Sequence, residues 1–152
     1  MQRDTREGFE FRGNDNYLAL TVQRVFDLMH QTPALDEFHI LTKIDIKCSG
    51  FSASNTALIS SASYRAFFKN LQVNYAKLDG TASLTSYGND FHLRLSVNSS
   101  GQVLVDGMTS VGAGTFNGQN VDCKLKFGLL GNQSSIKGVL EGLHDINRLF
   151  ER

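Results

Sequence analysis

Apolar and polar residues alternate most cleanly from Phe38 to Cys48. Phe38, Ile40, Ile44, Ile46 and Cys48 fall on one face, and His39, Leu41, Lys43, Asp45 and Lys47 fall on the other. A period of two marks a strand that buries one face and wets the other. The same period runs through Phe91, Leu93, Leu95 and Val97. It resumes at Val103, Leu104 and Val105 after Asn98-Ser99-Ser100-Gly101, which predicts a hairpin with Gly101 supplying a positive φ. Val121, Cys123, Leu125 and Phe127 alternate with Asp122, Lys124 and Lys126 in a further strand with a charged outer face. Shorter strand signals at 9–12, 17–22, 55–59 and 81–86 are bounded by Gly, Asn, Asp or Ser.

Two segments change to helical spacing. Tyr64, Phe67, Phe68, Leu71 and Tyr75 make one stripe after a run of serines, from which Ser60 or Ser61 supplies the N-cap, and Asp79-Gly80 marks the exit. Ile136, Val139, Leu140, Leu143 and Ile146 make a second stripe behind Asn132, the expected N-cap. Gly138 and Gly142 lie inside that helix, where each costs about 1 kcal/mol relative to Ala unless close packing on the sheet needs it. The stretch 23–37, with the sole proline Pro33, and the glycine-rich stretch 106–120 have no clean period. The first reads as a short helix or a bulged strand and loop. The second reads as an extended loop or a long hairpin around Ala113-Gly114, the kind of segment that carries binding residues on a rigid scaffold.

The order of these elements predicts an α+β fold: a single-domain antiparallel β-sheet with two amphipathic α-helices, the second C-terminal. No sequence repeat of 20–50 residues and no linker divides residues 1–152, so one domain is expected, with 1–8 set apart as a stretch that can be disordered. Composition adjusts this picture only slightly. Fifteen basic and fifteen acidic residues cancel, which removes the simplest electrostatic argument for a nucleic-acid or anionic-membrane partner. No apolar run approaches the roughly 20 residues of a membrane helix, and 1–10 lacks the apolar stretch of a secretory signal. The cytoplasm is therefore the expected location. Cys48 and Cys123 fall on apolar strand faces and are expected as buried free thiols rather than a disulfide.

Candidate chemistry is sparse. His30, His39, His92 and His144 form no ligand pair with one another or with a cysteine, so no metal and no cofactor are expected. Gly112-Ala113-Gly114 with Gly118 lacks the Lys-Ser or Lys-Thr and the strand-to-helix setting of a phosphate loop. The serines at 52, 54, 60, 61 and 63 fit turns and caps better than a nucleophile, since no G-x-S-x-G elbow is present. The chain reads as a non-enzyme.

Several stretches resemble the WapI-type immunity proteins of bacterial polymorphic toxin systems. Asp15-Asn16-Tyr17-Leu18 is similar to the stretch that opens an early strand in that family, with Tyr17 where Trp is usual. Thr56-Ala57-Leu58-Ile59-Ser60 and the helix bearing Tyr64, Phe67, Phe68 and Leu71 resemble its leucine, threonine and amphipathic-helix segment. Phe91-His92-Leu93-Arg94-Leu95, Gly101 and Val103-Leu104-Val105 are similar to its central hairpin, and 133–146 to its closing helix. The resemblance implies a non-enzymatic binder that occludes a cognate toxin, a nuclease in many such systems. The neutral charge separately leaves no nucleic-acid or membrane partner expected, and the chain is expected as a monomer or homodimer. For a toxin with a basic cleft, the expected contact residues are Asp15, Asp27, Asp36, Glu37 and Asp106. The alternatives are a small-molecule-binding or enzymatic α+β domain with a pocket between sheet and helices, and a structural or self-assembling protein whose sheet edge pairs with a second copy.

Overall fold

The computed structural model describes residues 7–13, 15–27 and 38–150. Four strands come first: β1 (Gly8–Arg12), β2 (Tyr17–Asp27), β3 (Phe38–Cys48) and β4 (Phe51–Ser60), followed by helix α1 (Ser61–Lys77). The pattern then recurs as β5 (Gly80–Thr85), β6 (Phe91–Val97), β7 (Gln102–Phe116), β8 (Gln119–Asn132) and helix α2 (Ser134–Arg148). Every pairing is antiparallel between sequence neighbours, giving two four-stranded sheets, β1-β2-β3-β4 and β5-β6-β7-β8. The α+β class and the C-terminal second helix are as the sequence predicts. What alternation left open is that the strands divide into two sheets, and that the chain runs twice through four strands and a helix.

All the predicted strands form. The stretch 23–27 extends β2 past an irregularity between Val22 and Arg24, and 28–37 lies outside the described residues. Glu7 already takes part in the fold, its carbonyl accepting from Val22 N–H at 2.8 Å.

Local chemistry fixes the helix ends. Ser60 keeps an extended backbone and its Oγ accepts from Ser63 N–H at 3.0 Å, supplying a partner for one of the donors a helix start leaves open. At the other end Leu78 turns left-handed (φ 52°), and Asp79 N–H bonds back to Asn74 O. The second helix corrects the expected cap. Gln133, not Asn132, occupies the cap position, and it makes no side-chain cap bond. Asn132 Oδ1 instead accepts from Ser134 N–H at 3.1 Å, one residue out of register.

Both sheets and both helices bury their apolar sides in one core. Helix α2 returns to the first sheet and packs on β1. A Cβ on Gly142 would stand 2.3 Å from the Gly8 carbonyl oxygen, so only glycine allows this approach. Gly138 faces open space and has no such reason. Within the core, Tyr64 of α1 is fully buried and its hydroxyl pairs with Thr42 Oγ1 of β3 at 2.6 Å.

The stretch 106–120 is neither a loop nor a hairpin turning at Ala113-Gly114. β7 and β8 stay paired out to Phe116 and Gln119 around a two-residue turn, Asn117 (φ 50°) and Gly118 (φ 77°). Positive φ at both positions is the hairpin turn that Asn-Gly favours. Gly114 (φ 123°) sits instead at an irregularity between Gly112 and Gly114, consistent with a bulge.

Candidate functional site

The β7–β8 hairpin outgrows its sheet. β6 pairs with β7 only as far as Phe91 and Thr109, where Asp90 O accepts from Ser110 N–H at 2.8 Å. Past that point, among the described residues, β7 pairs with β8 alone, and every residue from 111 to 124 is exposed. The molecule thus carries a two-stranded arm.

That arm is amphipathic. In β8, Phe127 and Leu129 face the core, so Leu125, Cys123 and Val121 continue the same face outward. Their cross-strand partners put Thr109, Val111 and Gly114 on that face, and Phe116, opposite Gln119, joins them. The opposite face carries Ser110, Gly112 and Thr115 with Lys124, Asp122 and Asn120. The apolar face of the second sheet therefore runs on past the core, flanked at its base by β4 and open towards the tip among the described residues: Phe116 is 72%, Val111 51% and Val121 45% exposed. Cys123 is exposed there as well, which corrects the expected burial of that thiol. Cys48 is only half-buried. Desolvation pushes its thiol pKa up, partly offset by backbone hydrogen bonding at Gly128. Both cysteines are free, as expected.

At the base of the arm lies an open groove of about 670 Å³, lined among others by Lys43, Ser54, Asn55, Asp90, Val111 and Asp122. One wall is β4, the edge strand of the first sheet. Leu58 O, on the side of β4 away from β3, accepts from Tyr87 N–H, and by alternation the backbone groups of Thr56, Ser54 and Ser52 point the same way. Asn55 ties the two walls together, its Nδ2 donating to Thr109 Oγ1 at 2.5 Å and to Ser110 O at 3.3 Å. Residues 52–55 with 109–111 and 123–125 line a second recess of about 260 Å³ nearby.

No protein family, curated protein or solved structure matches this chain.

Of the acidic residues singled out from the sequence, the three described ones, Asp15, Asp27 and Asp106, do not converge. Asp15 is exposed in the β1–β2 turn with φ 60°, and Asp27 ends β2, roughly 30 Å away at the rise of an extended strand. Asp106 lies on the outer face of the second sheet, where Arg94 Nη2 donates to its Oδ2 at 2.7 Å and the carboxylate raises the guanidinium pKa. Asp36 and Glu37 lie outside the described residues. Among the described residues no three His, Cys, Asp or Glu side chains are grouped as a metal site, and no helix is long and apolar enough to cross a membrane. The long hairpin is one of the two sequence readings of 106–120, but that reading misplaces its tip, and it misses the exposure of its apolar face because buried and uncovered apolar alternation look alike in sequence. Asn117-Gly118, the strongest short hairpin signal in the chain, could have found its tip.

Proposed function

We propose that this chain is a non-enzymatic protein-binding module of the immunity type, which neutralises a cognate toxin domain in the cytoplasm by covering it. The observation that carries the reading is the arm. A two-stranded ribbon is marginally stable by itself, and an uncovered apolar face with a large aromatic at its tip is what a protein partner would bury. The resemblance of 15–18, 56–71, 91–105 and 133–146 to WapI-type immunity proteins supports the choice of a toxin as that partner. The scattered placement of Asp15, Asp27 and Asp106 favours docking through this apolar face over neutralisation of a basic cleft by an acidic patch.

The test is a protection assay against the toxin domain encoded beside this chain. Cells producing the toxin survive when the wild-type chain is co-expressed, and the two proteins co-purify. Phe116→Ser with Val121→Ser, both solvent-exposed, leaves the thermal midpoint of the body unchanged and abolishes protection. Absence of a toxin in the neighbouring frame, or no rescue by the wild-type chain, removes the reading.

A further inference from the structure

The face of the arm and its edge are separate features, and the edge has its own chemistry. From Ser110 to Phe116, β7 reads Ser-Val-Gly-Ala-Gly-Thr-Phe, without a charge or a proline. Beyond Ser110, whose N–H goes to Asp90 O and whose carbonyl accepts from Asn55, this edge is unpaired among the described residues. Folded proteins normally guard such an edge with lysine, proline or a short strand, because unpaired N–H and C=O groups are a template for another chain. The adjoining strand β8 does carry Asp122, Lys124 and Lys126. The β7 edge has no such guard.

We infer that this edge is where two copies of the chain associate. Two β7 strands pair antiparallel across a two-fold axis, and the tip of each arm enters the mouth of the other's groove. A second copy fits for three reasons. An uncharged edge meets itself without the like-charge repulsion that opposes most self-pairing. Residues directly opposite in a sheet share a face, and one register satisfies this on both sides of the irregularity: Val111 opposite Phe116 of the second copy, Gly112 opposite Thr115, and Ala113-Gly114 at the axis. That register sets two exposed apolar side chains against each other twice, and Val111 lines both recesses at the base of the arm. The donor edge and the accepting groove belong to one chain, so the exchange is reciprocal and closes as a dimer rather than a fibre. It uses the edge of β7 and leaves the arm's apolar face on one side of a four-stranded ribbon, so it stands or falls separately from toxin binding.

The interface is small, which places the dimer in the micromolar range. Sedimentation velocity of the full chain from about 5 to about 500 µM is expected to show the mass rise from 16.8 kDa towards twice that value. Val111→Lys sets a charge against Phe116 of the second copy, where it would have to be desolvated, and is expected to hold the protein monomeric throughout, with an unchanged thermal midpoint. In a Cys123→Ser background, Val111→Cys with Phe116→Cys is expected to give a covalent dimer on mild oxidation, and each single substitution much less. A wild-type chain that stays monomeric at the top concentration overturns the inference. So does a dimer that Val111→Lys leaves intact, since its interface would lie elsewhere.

Discussion

At the residue scale, two polar pairs show how burial sets the worth of a contact. Tyr64 is fully buried, and desolvation raises its phenol pKa well above the usual 10, partly offset by the hydrogen bond with Thr42. The native state therefore holds the neutral phenol and resists its ionisation. A pKa raised on folding gives a contribution that is complete below the unfolded-state value near 10 and is lost as pH climbs from there through the folded-state value. Denaturant midpoints are expected to fall above about pH 10, with Tyr64→Phe showing a shallower fall. At neutral pH the same substitution costs about 1 kcal/mol, because the Thr42 hydroxyl loses its close partner. Parallel alkaline profiles for the two proteins would show that Tyr64 is not the group responsible. Arg94 and Asp106 make an equally short pair, but on the exposed side of the second sheet. Water screens both charges, so Asp106→Asn is expected to change stability by less than about 0.5 kcal/mol in urea unfolding.

At the element scale, the two glycines of α2 have opposite meanings. Gly142 lets the helix axis approach β1, and an added methyl would meet both the Gly8 carbonyl and Phe9 Cβ. Gly142→Ala is expected to destabilise by about 1–3 kcal/mol through overpacking. Gly138 meets nothing, so Gly138→Ala is expected to stabilise by about 0.5–1 kcal/mol through helix propensity alone. Chemical denaturation of the two variants checks both signs. The sequence shows two glycines at helical spacing and no way to rank them, since the difference lies in a strand more than a hundred residues away. Strand identity and facing were legible for the opposite reason. Alternation in Phe38–Cys48 or Phe91–Val97 is local, and it names the buried face whatever the neighbour turns out to be. The N-cap at Asn132 missed by one residue because its side chain satisfies Ser134 N–H without being the cap itself. The exposure of the arm's apolar face stayed hidden for the same reason that β3 was clear: Val121 and Cys123 have the pattern of buried residues, but the sheet that would cover them ends first.

At the scale of the whole molecule, two runs of four strands and a helix suggest two separable halves, and the packing argues otherwise. Helix α2, the last element of the second run, covers β1, the first strand of the first. Phe9 of β1 stacks near Phe67 of α1 with centroids 6.2 Å apart, and Phe38 and Tyr64 share Phe150, just past α2, at 5.9 and 6.4 Å. The first run by itself would expose the sides of Phe9, Phe11 and Phe38 that α2, β8 and Phe150 respectively close. Burying one such side chain is worth about 1.5–3 kcal/mol, and a domain's whole stability is only about 5–15 kcal/mol. Losing several at once removes most of that margin. Residues 1–79 expressed alone are therefore expected to lack dispersed amide resonances and a cooperative thermal transition. The full chain is expected to unfold in one step, with far-ultraviolet circular dichroism and near-ultraviolet aromatic signals coinciding. A folded, cooperative fragment would mean that α2 is an accessory to the first sheet and not part of its core. The arm is the exception to this mutual burial. Variants at Val111, Phe116 and Val121 are expected to leave that single transition unmoved, which makes the arm the part of the chain that can be altered for binding without altering the fold.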